Sequence, residues 1–471
     1  MQRREFLRTA AAGPWLAQGL RGDASASRPN VLFVISDDLN NDFGGVLHLA
    51  DTHVPHLDRL SRQGVRFERA FCQYPLCNPS RVSLLSGLYP TTTQVLDNIT
   101  PPRYALTDYV TLPQYLRQHG YNTAYVGKVF HLLDPISWQK DAPPPVRVKD
   151  HKFNYWMEPV RPENRKVADM LRSFMQPQTG AAETLEDYRI ATEAIRLMNG
   201  FHEAKEPFFL AVGFRRPHVP FIAPDSAYRM YSPAKVSLPE DFAATPSWKG
   251  VPLDAFRPNL DLFFERDATP EKAREMIAAY YGCVSFVDMQ LGRLLAELDR
   301  LAIANTTIVS VVADHGWHLG QKGMWAKMTL FENSARVPLI LYDPRSKSPG
   351  GRCQAIAESL DLYPTLVDLC GLPVPQNLHG RSLARFLENP RETWDRPALT
   401  VMLRHGLLGK SIRTPRWRYT EWDDGSRGAE LYDHEHDPYE LKNLIAEARY
   451  AVETAELKKQ LNARLAHAPV P

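Results

Sequence analysis

Cysteine is scarce in this chain and odd in number. Its 471 residues hold five, Cys72, Cys77, Cys283, Cys353 and Cys370, at scattered spacings and without a Cys-x-x-Cys pair. That excludes a disulfide framework and a zinc site. Long apolar runs are missing too: nothing approaches the ~20 consecutive apolar residues of a spanning helix, so no membrane insertion is expected and the protein should be soluble. Neither charge dominates, with 56 Lys and Arg against 54 Asp and Glu. Taking away residues 1 to 26, with four arginines and two acidic residues, leaves 52 of each. A formally neutral protein has no bulk attraction for nucleic acid, so an anionic ligand must be recognised by a local cluster of cations.

What is present suits a folded protein with one large core and a smaller lobe: 44% hydrophobic and 23% charged residues, at a length that buries a sizeable interior. Thirty-eight prolines imply many long connections, and connections are where sites are usually carried. The N-terminus, MQRREFLRTAAAGPWLAQGLRGDASA, sets Arg3-Arg4 ahead of Phe6-Leu7, a weakly apolar run from Ala10 to Leu20 and the small residues Ala24-Ser25-Ala26. It resembles a twin-arginine export signal over residues 1–26. Passage through the twin-arginine machinery into a bacterial periplasm or medium is expected, with the chain folded before export and its structural thiols reduced.

Asn30 to Ile35, Thr123 to Val126, Phe208 to Val212, Thr307 to Val312 and Pro338 to Tyr342 are short, nearly continuous apolar runs, the mark of strands covered on both faces. Helical patterns lie between them, the longest from Arg274 to Leu301, where Met276, Tyr280, Cys283, Val287, Leu291, Leu294 and Leu298 recur three or four apart. The alternation predicts a largely parallel α/β sheet with helices on both sides. Ligands of such sheets bind beyond the carboxyl ends of the strands. Four of the runs deliver chemistry there: Ser36-Asp37-Asp38, Gly127-Lys128-Val129-Phe130-His131, Gly213 to His218, and Ala313-Asp314-His315-Gly316-Trp317.

Each piece alone has a plainer reading. Paired acids after a strand often cap a helix, and His218 alone would be a structural histidine. Asp38 to Leu49 fails as an EF-hand because Phe43 and Leu49 stand where Gly and Glu belong. DHEHD, from Asp433 to Asp437, is read as a surface turn before Pro438 in preference to a metal site. Four polar ends in register favour a single site.

Residues 74–87 read YPLCNPSRVSLLSG. Ser80 could cap a helix whose positive end, with Arg81, would stabilise negative charge beside Cys77, the setting of a reactive residue. Cys77-Asn78-Pro79-Ser80-Arg81 with Leu85-Ser86-Gly87 resembles the C-x-P-S-R-x-x-x-L-[ST]-G signature of the type I sulfatases. GKVFH (127–131), FFLAVGFRRPHVPF (208–221) and DHGWHLGQKGMWAK (314–327) are similar to the iduronate-2-sulfatase group within that family.

The resemblance implies an alkaline-phosphatase-like α/β/α sandwich with a mostly parallel sheet and a smaller C-terminal antiparallel-sheet subdomain. It implies that a maturation enzyme oxidises Cys77 to formylglycine, whose hydrate is the nucleophile. It implies one calcium ion, with Mg²⁺ as the alternative, held by Asp37, Asp38, Asp314, His315 and residue 77. Arg81 would help hold the hydrate, Lys128 would steady it and a sulfate oxygen, and His131 would help deprotonate it to release sulfate. His218 and Lys327 would bind sulfate and assist the leaving oxygen, either one being the proton donor, and Trp317 would line the substrate pocket. The implied reaction is hydrolysis of a sulfated oligosaccharide, in first place the 2-O-sulfate of a terminal uronic acid. A phosphonate or phosphodiester hydrolase of the same superfamily is the competing enzyme, and a silent glycan-binding protein the competing class.

Beyond Leu372 a Pro-rich connection leads to Leu399–Leu403, SIRTPRWRYTEW (411–422), ELYD (430–433) and a helical tail from Glu447 to Ala466. The expected division is a catalytic domain over 27–385 and a C-terminal subdomain over 386–471. Residues 404–413 could reach the substrate pocket.

Overall fold

The computed structural model describes residues 28–41, 52–106, 108–138, 177–243, 247–257 and 268–466, so the export signal read at 1–26 lies outside the described residues. Among the described residues nine strands precede residue 360: β1 (Asn30–Asp37), β2 (Val65–Phe71), β3 (Asn122–Gly127), β4 (Phe208–Pro217), β5 (Thr307–Ala313), β6 (His318–Leu319), β7 (Trp325–Ala326), β8 (Arg336–Tyr342) and β9 (Gly351–Glu358). β6 pairs with β7, and the other seven form one sheet in the order β3-β4-β1-β5-β8-β2-β9. Only β8 runs against its neighbours. The five apolar runs are all strands of this sheet. β2 and β9 were not anticipated, because VRFERAF and GRCQAIAE interrupt their apolar residues with charge.

The strand β1 is buried along nearly its whole length, which requires cover on both faces. Helices Glu186–Ala204 and Pro270–Arg300 pack together against β4, while Cys77–Ser86, Leu112–Gln118 and Leu362–Leu369 form a second group. The long helix begins where Thr269 accepts the Lys272 amide at 3.3 Å and Pro270 follows, a cap and first-turn proline as helix starts favour. The result is an alkaline-phosphatase-like α/β/α sandwich. Its parallel strands end together, with Asp37 beside Pro217, Ser36 beside Ala313 and Gly127 beside Gly213. No helix among the described residues is long and apolar enough to cross a membrane.

A second sheet, β10 (Ala398–Arg404), β11 (Leu407–Arg413), β12 (Trp417–Trp422) and β13 (Ala429–Asp433), is antiparallel throughout. It docks through the Val401 amide on the Gln73 carbonyl (2.9 Å) and the Thr400 hydroxyl on the Cys72 carbonyl (2.7 Å). Buried Glu332 is shared by Arg413 (3.1 Å) and Arg418, and Arg418 also meets Glu440 at 2.5 Å. His434 turns inward to Glu440 at 3.1 Å, while Glu435 and His436 are exposed. DHEHD is thus a turn in which Asp433 is buried and His434 points inward. His434 with Glu332 and Glu440, and Asp433 with Glu435 and His436, lie close enough to hold a metal, but arginines already pair with Glu332, Glu440 and Asp433.

Burial pushes the Glu430 carboxyl up to about 7 from 4.5, although Tyr432 Oη (2.9 Å) and Trp422 Nε1 (3.3 Å) donate to it. The folded state therefore holds this proton more tightly than the unfolded chain. Its contribution to stability is fully present below about pH 4.5 and is lost as pH rises through about 7. Glu430→Gln is expected to flatten the fall in melting temperature across that window. A slope identical to that of the parent would show that Glu430 is not its source.

Candidate active site

Cys77 is the first residue of helix Cys77–Ser86, entered from an extended Leu76 (φ −152°) with no side-chain cap. The helix therefore starts three residues before the serine expected to cap it. Pro79 is tolerated because amides of the first turn have no intrahelical partner to lose. Ser80 instead donates its hydroxyl to the Asp314 carbonyl, tying this helix to the end of β5.

The buried Cys77 Sγ lies 3.2 Å from Lys327 Nζ, 3.4 Å from His315 Nε2 and 3.4 Å from Asp37 Oδ1, and it also hydrogen-bonds His131. Burial opposes its ionisation, yet Lys128, Lys327 and His315 outweigh burial and hold the thiol well below its ordinary value. The other four thiols are buried and unpaired. Burial pushes Cys283 up to about 12, Cys353 and Cys370 up to about 11, and Cys72 higher still. One cysteine of five sits where negative charge is stabilised.

Asp37 ends β1 and ion-pairs with Lys128, while Arg81 NH2 approaches it at 3.7 Å. Burial disfavours its charge, but Lys128, His218 and Arg81 hold it well below the usual carboxylate range. Lys128 is fixed by its amide on the Gly213 carbonyl at 2.9 Å. Gly213 has no alternative there, since a Cβ would lie 1.9 Å from the Lys128 carbonyl oxygen. Arg81 Nε meets Asp314 at 2.8 Å, and its NH1 takes the carbonyls of Lys128 and Val129, so this arginine braces the ends of β3 and β5. Asp38 meets Lys327 at 2.7 Å, His315 at 3.4 Å and His218 at 3.8 Å.

Ligand atoms of Asp37, Cys77, Asp314 and His315 all lie within 4.8 Å of one another, as do those of Asp37, Asp38, Cys77 and His218. Asp38 Oδ2 is buried without a hydrogen-bond donor, and burial pushes Asp314 up to about 6 against the pull of Arg81. Both signs mark buried acids whose present partners do not fully offset the loss of water. An oxygen-rich set with that deficit fits a hard divalent cation such as calcium.

The backbone around these groups is held under strain. Asp38 takes φ +63°, and Ala326 and Met328, on either side of Lys327, each take φ +69°. Non-glycine residues in that region cost of order 1–3 kcal/mol each and persist only where neighbours over-determine them. Tyr280 supplies part of that constraint at Asp38: its hydroxyl donates to the Asp38 carbonyl at 2.7 Å and accepts the Asn40 amide at 2.8 Å. Asn40 in turn donates to the Trp317 carbonyl at 2.6 Å. His218 Nδ1 faces the Val219 carbonyl at 2.6 Å, which assigns the proton to Nδ1 and leaves Nε2 toward Asp38.

The eleven residues singled out from the sequence lie around this point, Trp317 through its ring 5.7 Å from Lys327 Nζ and 6.5 Å from the His218 ring. Arg215, at the same strand end as His218, is drawn off to Glu186 at 2.6 Å. Asn40 and Tyr280 were missed as site residues. Tyr280 belongs to the apolar stripe of the long helix, where only its hydroxyl distinguishes it from core.

The model of the sulfatase family matches residues 29–372, and that of the N-sulphoglucosamine sulphohydrolase C-terminal region matches residues 320–467. A sulfatase of Formosa agariphila is 32% identical, with 92% of this chain and 86% of that protein covered. The iduronate 2-sulfatase of Mus musculus is 30% identical over 92% of this chain and 94% of its own length. Among solved structures, a phosphonate monoester hydrolase from Silicibacter pomeroyi superposes with a TM-score of 0.74 at 25% identity, covering 94% of this chain and 96% of that one.

Proposed function

The chain belongs to the sulfatase family and is a sulfuric ester hydrolase, and from that premise we propose that it removes the 2-O-sulfate of a terminal uronic acid. We further propose that Cys77 is converted to formylglycine, that Asp37, Asp38, Asp314 and His315 hold a calcium ion, and that the chain acts in the periplasm or medium after twin-arginine export. The observation that carries the reading is the convergence of Lys128, His131, His218 and Lys327, from three separate segments, on residue 77 and its acids.

Three carboxylates, Asp37, Asp38 and Asp314, are balanced by three permanent cations, Arg81, Lys128 and Lys327. A divalent ion bound among them leaves the site positive, the condition for holding a sulfate ester whose leaving oxygen gains charge in the transition state. A cation held by Asp37, Asp38, Asp314 and His315 would supply Lewis acidity and lower the proton affinity of the nucleophile. Residue 77, once an aldehyde hydrate, would offer two hydroxyls, one for attack on sulfur and one for release of sulfate.

Lys128 and Lys327 reach the reacting position as ammonium groups and bind sulfate oxygens. Burial pushes His131 below its ordinary value, so its ring is neutral near pH 7 and can take a proton from the residue 77 side. His218 keeps its Nδ1 proton on the Val219 carbonyl, so its doubly protonated ring could hand the Nε2 proton to the leaving oxygen and be left neutral. Arg81 holds the acids and the Lys128 backbone in place. With no basic track on a neutral protein, long sulfated chains should be cut only at their ends.

Sulfate release from 2-sulfated uronate disaccharides should exceed that from 6-sulfated glucosamine, galactose sulfates and aryl sulfate by at least about tenfold in kcat/KM. A preference for a non-uronate ester overturns the sugar and leaves the sulfatase. Phosphonate and phosphodiester substrates belong in the same panel, because the likeness to a phosphonate monoester hydrolase at 25% identity favours that chemistry as the second reading.

A further inference from the structure

We propose that Arg404, at the end of β10 in the smaller sheet, is a positioning residue for Lys327. The inference rests on the sulfatase reading for the role of Lys327 and on geometry alone for the connection. Lys327 touches both Cys77 Sγ (3.2 Å) and Asp38 (2.7 Å), yet its own backbone lies between two left-handed residues, Ala326 and Met328. Something outside the segment must hold it. The Met328 amide donates to the Pro75 carbonyl at 3.1 Å, just ahead of Cys77. The Met328 carbonyl receives Arg404 NH2, and Arg404 NH1 takes the carbonyls of Asp254 (2.8 Å) and Phe256.

The guanidinium is buried and has no carboxylate within salt-bridge distance among the described residues. Burial, with Arg257 nearby, brings it down to about 10. It lies 5.5 Å from the centroid of the Trp422 ring. Burying a guanidinium whose hydrogen bonds go to carbonyls, with Asp254 and Glu430 acting only from beyond salt-bridge distance, is unfavourable. What the arrangement does is lock the strained segment carrying Lys327 to a rigid sheet. Arginine suits the task because its planar fork meets several carbonyls at fixed angles, which an ammonium cannot do. Arg404, within the segment 404–413 read as able to reach the substrate pocket, thus bears on the site through the Met328 carbonyl.

A double-mutant cycle tests this. Lys327→Met is expected to lower kcat/KM about 10³-fold, and Arg404→Met about 10- to 100-fold through misplacement of the lysine. The double variant should fall within about threefold of Lys327→Met, because the second change has nothing left to misplace. Losses that multiply would overturn the proposal and make Arg404 a general structural residue. Hydrogen exchange supplies a readout that needs no turnover: Arg404→Met should speed exchange of the Met328 amide about tenfold or more while leaving β1 and β5 unchanged. Unchanged exchange at Met328, or equal acceleration everywhere, counts against it. If Arg404→Met does not melt cooperatively, Arg404→Lys goes through both measurements with the same outcomes decisive. Parent protein that releases no sulfate from any ester would defeat the sulfatase reading, and exchange at Met328 would still decide the role of Arg404.

Discussion

Cys77→Ala should give a folded protein whose steady-state sulfate release has fallen by at least about 10³- to 10⁴-fold, since removal of a nucleophile leaves only binding and electrostatic effects. The fold should tolerate the change. Cys77 is a buried residue in a cavity of polar partners, and its backbone starts a helix that needs no side-chain cap. Truncating one sulfur removes few apolar contacts, so the melting temperature should move by only a few degrees. Cys77→Ser is the more informative variant. A single hydroxyl can attack sulfur once but lacks the second hydroxyl that release requires, so serine should give at most one equivalent of sulfated enzyme and no sustained turnover. Undiminished steady-state hydrolysis by either variant would remove residue 77 from the chemistry.

Asp314→Ala should cost both activity and stability, and the pairing explains why the two go together. Asp314 is the 2.8 Å partner of fully buried Arg81, and its other oxygen accepts the amides of Asp38 (3.1 Å) and His315 (3.0 Å). Removing it leaves a buried guanidinium with only the more distant Asp37 at 3.7 Å as an anionic partner, a change that costs up to about 3–5 kcal/mol. Activity should drop by about 10³-fold or more, because the same deletion removes a proposed metal ligand and the brace between β1 and β5. Chelation of the native enzyme separates these effects: activity should vanish and return with calcium, while the Arg81–Asp314 pair keeps the apoprotein folded. Full activity after exhaustive chelation would contradict the assigned metal site.

Five strands were legible because each is a β-branched or aromatic run buried on both faces. β2 and β9 were not, because Arg66, Glu68, Arg69 and Arg352 break their apolar pattern, and Glu68 and Arg352 pair across the sheet at 2.7 Å. Charge that is neutralised by a neighbouring strand looks, in one dimension, like a loop. Asp37, Asp38, Lys128, His131, His218, Asp314 and His315 were legible as candidates because they follow strands in common register, whereas Cys77, Arg81 and Lys327 were singled out by the family resemblance. Tyr280, Asn40 and Arg404 act through backbone groups tens to hundreds of residues away, as in the bond from Tyr280 to Asp38. Such contacts leave no periodicity or spacing to read. Ser80 was misplaced as a cap because its type suits one, whereas the extended Leu76 decides where the helix begins.

The central claim is that sulfate-ester turnover passes through an oxidised residue 77. It is tested by preparing the chain with graded amounts of maturation enzyme, measuring by mass spectrometry the fraction of residue 77 present as aldehyde, and assaying sulfate release on the same samples. Turnover should rise in direct proportion to that fraction and extrapolate to zero where all of Cys77 remains a thiol; a rate independent of the fraction, or full turnover by the unmodified thiol, would contradict the account.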